Sequence, residues 1–187
     1  MFDAASDVPK PANEPVLSYA PGTSEREALE KELKRLGSGV EEIPLIIGGK
    51  EVKTGDIGEV VCPHDHGHVL ARYHKAGPEH VKMAVEAAME AWKQWSAMDH
   101  DQRFAVFLRA AELLSGPRRH TVNAATMLNQ SKNPFQAEID SACELIDFWR
   151  FNPWYAKQIY AQQPPYSPTG TWNRTEFRPL EGFVLAV

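Results

Sequence analysis

Residues able to do chemistry crowd into two places. Cys62-Pro63-His64-Asp65-His66-Gly67-His68 offers a thiol and three imidazoles within seven positions, a set that could hold zinc or copper. A tight turn containing Pro63 and Gly67 would scatter those side chains, and no second ligand cluster occurs elsewhere, so a metal-free hairpin turn is expected. The second place is acidic. Asp140, Glu144 and Asp147 fall at i, i+4 and i+7 of a helical pattern, which puts three carboxylates on one face of the most apolar helix in the chain. Two readings stay open: a solvated stripe neutralised by Arg150 and other bases, or the wall of a cavity where a carboxylate receives a cationic substrate group. Under the second, Glu144 in the centre is the candidate substrate-binding residue.

Neither cysteine has the glycine-rich, small-residue surroundings of a catalytic thiol; Cys143, between Ala142 and Glu144, reads as packing. Gly48-Gly49 and Gly55-x-x-Gly58 lack the strand-to-helix context of a dinucleotide cradle. Arg118-Arg119 with His120 reads as a helix start on the surface. Trp92, Trp95, Phe104 and Phe107 stand at helical spacing and read as core. No catalytic residue, cofactor-binding residue or metal ligand is assigned.

The positioning elements follow from pattern. Residues 1–22, with Pro9, Pro11, Pro15 and Pro21, predict an extended arm. Ser24 and Glu27 form a capping-box signature for a helix carrying Leu29, Leu33 and Leu36. Short β-like runs over 41–75 predict a small antiparallel sheet of hairpins. Helical periodicity covers 78–163: Gly77-Pro78 opens a helix whose stripe Val81, Val85, Ala88, Trp92 and Trp95 must pack on a core, and two further strong patterns begin near Asp99 and Pro134. Over 171–187, residues 171–177 read as an exposed strand able to pair with another subunit, and 182–187 as a buried one. The chain would then stop where a cofactor-binding turn of an α/β sheet is expected to begin, the mark of a fragment.

Composition limits the function classes. With 187 residues, 20 Lys+Arg against 25 Asp+Glu and 43% hydrophobic residues, the chain is an ordinary globular one of net charge −5, not a nucleic-acid binder. No apolar run approaches the ~20 residues that cross a bilayer, so no membrane partner is expected. The acidic first residues lack a secretion or mitochondrial leader pattern, and two unmatched cysteines fit a reducing compartment, which together predict a cytoplasmic location.

Several stretches together resemble one family: Asn13-Glu14-Pro15-Val16 with Tyr19-Ala20-Pro21-Gly22, Ile47-Gly48-Gly49, Phe107-Leu108-Arg109-Ala110-Ala111, and Gln136-Ala137-Glu138-Ile139-Asp140 running on through 144–152. Gln162-Gln163-Pro164 and Arg178-Pro179-Leu180-Glu181-Gly182-Phe183-Val184 add to them. They resemble the N-terminal part of the L-glutamate γ-semialdehyde (1-pyrroline-5-carboxylate) dehydrogenases of the aldehyde dehydrogenase superfamily. The resemblance implies an incomplete α/β fold: arm, β-hairpins, helical layer and first strand of a Rossmann-like NAD domain, so that 23–187 is part of that domain. It implies thiolate attack on the aldehyde, hydride transfer to NAD and thioester hydrolysis, giving glutamate in proline breakdown. The nucleophile, general base, oxyanion asparagine and main NAD contacts would all lie beyond residue 187, so the chain alone is expected to be inactive and to bind NAD poorly. The complete enzyme is expected to be a homo-oligomer. Glu144 matches a glutamate on the helix lining the family's aldehyde tunnel, placed to meet the substrate's amino group, with Asp140 and Asp147 structural or partner-facing. A different class of function is also open, a non-catalytic module pairing with a separate catalytic chain.

Overall fold

A computed structural model describes residues 7–187; residues 1–6 of the expected arm lie outside the described residues. Residues 7–22 run extended, as their prolines dictate. The turn Pro21-Gly22, with Gly22 at φ 81°, leads into α1 (Ser24–Gly37). Thr23, not Ser24, is the N-cap, and the expected capping box is not formed: the Thr23 hydroxyl donates backwards to the Ala20 carbonyl at 2.8 Å.

Five short strands follow: β1 (Glu41–Ile43), β2 (Leu45–Ile47), β3 (Lys50–Val52), β4 (Ile57–Cys62) and β5 (Asp65–His74). β2 and β3 form one hairpin across Gly48-Gly49, both at positive φ. β4 and β5 form another, turning at Pro63-His64, so Asp65, His66 and His68 lie on a strand instead of in the turn. The expected all-antiparallel sheet is corrected at one position. β1 pairs parallel with β5 to give the order β1-β5-β4, which a strand far from its partner in sequence is free to do.

The rest is helical: α2 (Pro78–Ala97), α3 (His100–Ser115), α4 (Arg119–Gln130), α5 (Pro134–Ala137), a π-helix (Glu138–Cys143) and α6 (Glu144–Ala161). Asp99 caps α3 by accepting from the Asp101 N–H at 2.8 Å. Asn133 and Gln136 form a capping box at α5, where Pro134 occupies the first turn. One apolar core lies between α3 and the π-α6 segment, with Ala111, Leu114, Ala142 and Ile146 packed together. A second joins the arm, α1 and α4 through Tyr19, Leu29 and Ala124.

Two expectations about burial fail, for one physical reason. The α2 stripe does not pack on a core: no α2 residue is buried, and of the four aromatics expected inside only Phe104 is. Residues 171–187 form no strand and lie exposed, Trp172 at 87% and Val184 at 75%. A strand needs a neighbouring ladder, and an apolar stripe needs a facing layer. Among the described residues neither is supplied.

Candidate functional site

The segment from Pro134 to Ala161 carries the site, and its irregularity decides which carboxylates share a face. The Glu144 N–H bonds to the carbonyl of Ile139, five residues back, so the helix is widened immediately before Glu144. The expected face of three carboxylates is therefore not formed as an α-helical stripe. Asp140 turns to Lys132 at 2.7 Å. Glu144 and Asp147 remain one turn apart at the start of α6.

These two acids border an open cavity of about 730 Å³ whose other walls are aromatic side chains of α6, notably Phe148, Phe151 and Tyr155. The opposite wall is the arm, through Asn13, Glu14 and Val16. Asp147 is engaged by it: Asn13 Nδ2 donates to Oδ2 and the Glu14 N–H to Oδ1, each at 2.7 Å. The Glu144 carboxylate is exposed and pairs with no described side chain. The cavity thus combines aromatic walls with one carboxylate that faces solvent.

Beneath this wall lies a charged core that sequence reasoning missed. Glu138 is 0% exposed and Arg119 4% exposed, so the expectation that Arg119 begins a helix on the surface is corrected: it begins α4, but points inward. The Arg119 guanidinium pairs with Glu138 and with Glu14. Glu138 also accepts from the Leu17 N–H at 2.8 Å, the Tyr19 hydroxyl at 2.7 Å and Asn123 Nδ2 at 2.8 Å. Burial alone would raise the Glu138 pKa; the Arg119, Leu17 and Tyr19 hydrogen bonds outweigh it and hold the carboxyl below its ordinary range. Burial first, and then the hydrogen bond to Glu138, push the Tyr19 hydroxyl up. Tyr19 itself stands at φ 52°, a costly conformation for a non-glycine residue that these bonds maintain. The one signal available beforehand was a glutamate inside a helix apolar on most sides.

Cys143 is packing: 5% exposed, with its thiol pushed up to about 11 by burial and the neighbouring Glu138 charge, it is no thiolate near neutrality. Cys62 is buried at the end of β4, 3.4 Å from His64 Nε2. The imidazoles around it diverge, His64 towards Ser131 and His68 towards the Gly37 carbonyl. Of this cluster, Cys62 and His64 stay in contact at the β4–β5 turn while His68 points to α1. Asp99, His100 and Asp101 approach within 4.8 Å, but they serve as the α3 cap and as the partner of Lys157.

The aldehyde dehydrogenase family pattern matches residues 51–187. The chain belongs to the aldehyde dehydrogenase family. A relative from Agaricus bisporus, named delta-1-pyrroline-5-carboxylate dehydrogenase, is 50% identical over 185 residues, 98% of this chain and 34% of that protein. The human one, named as mitochondrial, is 47% identical over 178 residues, 95% of this chain and 31% of its own length. The crystal structure of the Mycobacterium tuberculosis delta-pyrroline-5-carboxylate dehydrogenase bound with NAD superposes with a TM-score of 0.93 at 51% identity, covering 97% of this chain and 34% of that one. The chain thus spans about a third of the length of these aldehyde dehydrogenases and has the corresponding α/β fold over that third. The Mycobacterium structure contains NAD. Here Gly48-Gly49 is a hairpin turn, and Gly182, at φ 94°, lies in a segment without secondary structure.

Proposed function

We propose that these residues work as the N-terminal third of an NAD-dependent dehydrogenase that oxidises L-glutamate γ-semialdehyde to glutamate in proline breakdown. Their part is the wall that admits and orients the aldehyde. The observation that carries this is the open Glu144 carboxylate beside an aromatic-walled cavity of about 730 Å³. The semialdehyde bears an α-ammonium group, for which that carboxylate is the complementary charge, and the names of the relatives support the same substrate.

By the resemblance to these dehydrogenases, the nucleophilic thiol, the general base and the NAD contacts are assigned to the other two thirds of the full-length enzyme. The homo-oligomer expected of the complete enzyme belongs to the same proposal. On location, the human and Dictyostelium relatives are named mitochondrial, against the cytoplasm expected from the sequence; organelle fractionation decides between the two. The exposed 171–187 segment supports a second reading, in which the chain pairs through it with a separate catalytic chain. Mixing the two chains and recovering turnover would favour that reading.

The experiment is Glu144→Gln in the full-length enzyme. Loss of one charge-assisted hydrogen bond, about 1.5 kcal/mol, raises KM for the semialdehyde about tenfold with kcat little changed. An unchanged KM rejects the assignment.

A further inference from the structure

Three carboxylates line the cavity, Glu14 of the arm and, one helical turn apart on α6, Glu144 and Asp147, and the arm determines how many of them can take a cation. Both oxygens of Asp147 are occupied, Oδ2 by Asn13 Nδ2 and Oδ1 by the Glu14 N–H. The Glu14 side chain, 10% exposed, fixes that stretch of arm in turn by bridging Arg119 of α4 and Arg150 of α6. Glu144 has no such partner. A carboxylate whose lone pairs already accept two hydrogen bonds is a poorer acceptor for a third donor than one facing only solvent. The two α6 acids stand three residues apart, about 4.5 Å along the helix axis. An ammonium group seated on one or the other would place its aldehyde at two different depths.

Resting on the assignment of Glu144 above, we propose that Asn13 and Glu14 are positioning residues that enforce a single binding register: by occupying Asp147 they leave Glu144 as the one carboxylate for the substrate's ammonium. With Asp147 released, part of the substrate binds one turn too deep or too shallow and is held without reacting. Non-productive binding has a recognisable kinetic form. It lowers kcat and KM by the same factor and leaves kcat/KM where it was.

The test is Asn13→Ala in the full-length enzyme, assayed with the semialdehyde and with the same five-carbon aldehyde acid lacking the amino group. The change removes one exposed hydrogen bond and leaves the Glu14, Leu17 and Tyr19 anchors of the arm in place. If the two registers bind comparably, kcat and KM for the semialdehyde fall together by about twofold or more. Neither constant changes for the aldehyde without the amino group. Adding Asp147→Asn to Asn13→Ala removes the competing charge and restores kcat. Equal losses of kcat/KM for both aldehydes, no change with either, or failure of the double variant to recover would each overturn the proposal. Glu144→Gln separates the two levels: if it leaves KM unchanged, the underlying assignment fails. If it raises KM while Asn13→Ala behaves as a general defect, only the register proposal fails.

Discussion

Arg119→Met tests whether the buried ion pair between α4 and the π-helix holds the arm in place. Among the described residues the guanidinium is the sole cation in contact with Glu138, and it also contacts Glu14 and the Pro15 carbonyl at 2.7 Å. Removing it strands a fully buried carboxylate among the Leu17, Tyr19 and Asn123 donors, a loss of about 3–5 kcal/mol for a broken buried pair. Most of that falls on docking of the arm, because two of those three donors belong to it. Hydrogen exchange of a peptide covering residues 13–19 reads this directly: about 3 kcal/mol lowers protection by about a hundredfold. The pH dependence supplies the sign. In the wild type Glu138 titrates below its ordinary value, so its contribution is present above that value and is lost only as pH falls through the depressed pKa. Without Arg119 burial dominates and the folded pKa rises above the unfolded one, so the variant loses stability as pH climbs through that window and recovers on acidification. A fall in protection of less than about threefold, or the same loss at pH 5 and pH 8, would refute the reasoning.

Other outcomes follow from the same geometry. Ile146→Ala empties a position that is 0% exposed between α3 and α6, at a cost of about 2–4 kcal/mol, measured as a lower denaturation midpoint. Gly58→Ala would drive its Cβ into the Tyr73 ring, so the β4–β5 hairpin loses about 1–3 kcal/mol, measured as faster exchange of the β4 amides; unchanged exchange would show that Tyr73 swings aside freely. Iodoacetamide at pH 8 leaves Cys143 unmodified in the native protein, since its thiol is buried and titrates near 11; peptide mapping that finds it alkylated contradicts the packing role.

Legibility in the sequence followed the range of the forces. Hairpins and helix starts rest on local chemistry, and the Gly48-Gly49 turn, the Pro78 helix start and the Pro134 helix lie where the residues place them. The Leu29 face of α1 was equally plain, though its cap is Thr23. What stayed hidden needs partners distant in sequence. Arg119 read as a surface charge and Glu138 had no visible partner, because nothing local says that Tyr19 and Leu17 of the arm close over them. The π-turn before Glu144 leaves no periodicity signature in six residues, so Asp140 read as a member of a face it does not join. The strands expected at 171–177 and 182–187 had the right composition but lack a ladder to join among the described residues.

The central claim is that Glu144 receives the ammonium group of the aldehyde substrate. The most direct measurement is the ratio of kcat/KM for L-glutamate γ-semialdehyde to that for its counterpart lacking the amino group, in the full-length enzyme with and without Glu144→Gln. The account predicts that the substitution lowers this preference about tenfold, nearly all of it through the semialdehyde. A preference that survives Glu144→Gln intact would mean that another group binds the ammonium and that the open carboxylate of this cavity does not select the substrate.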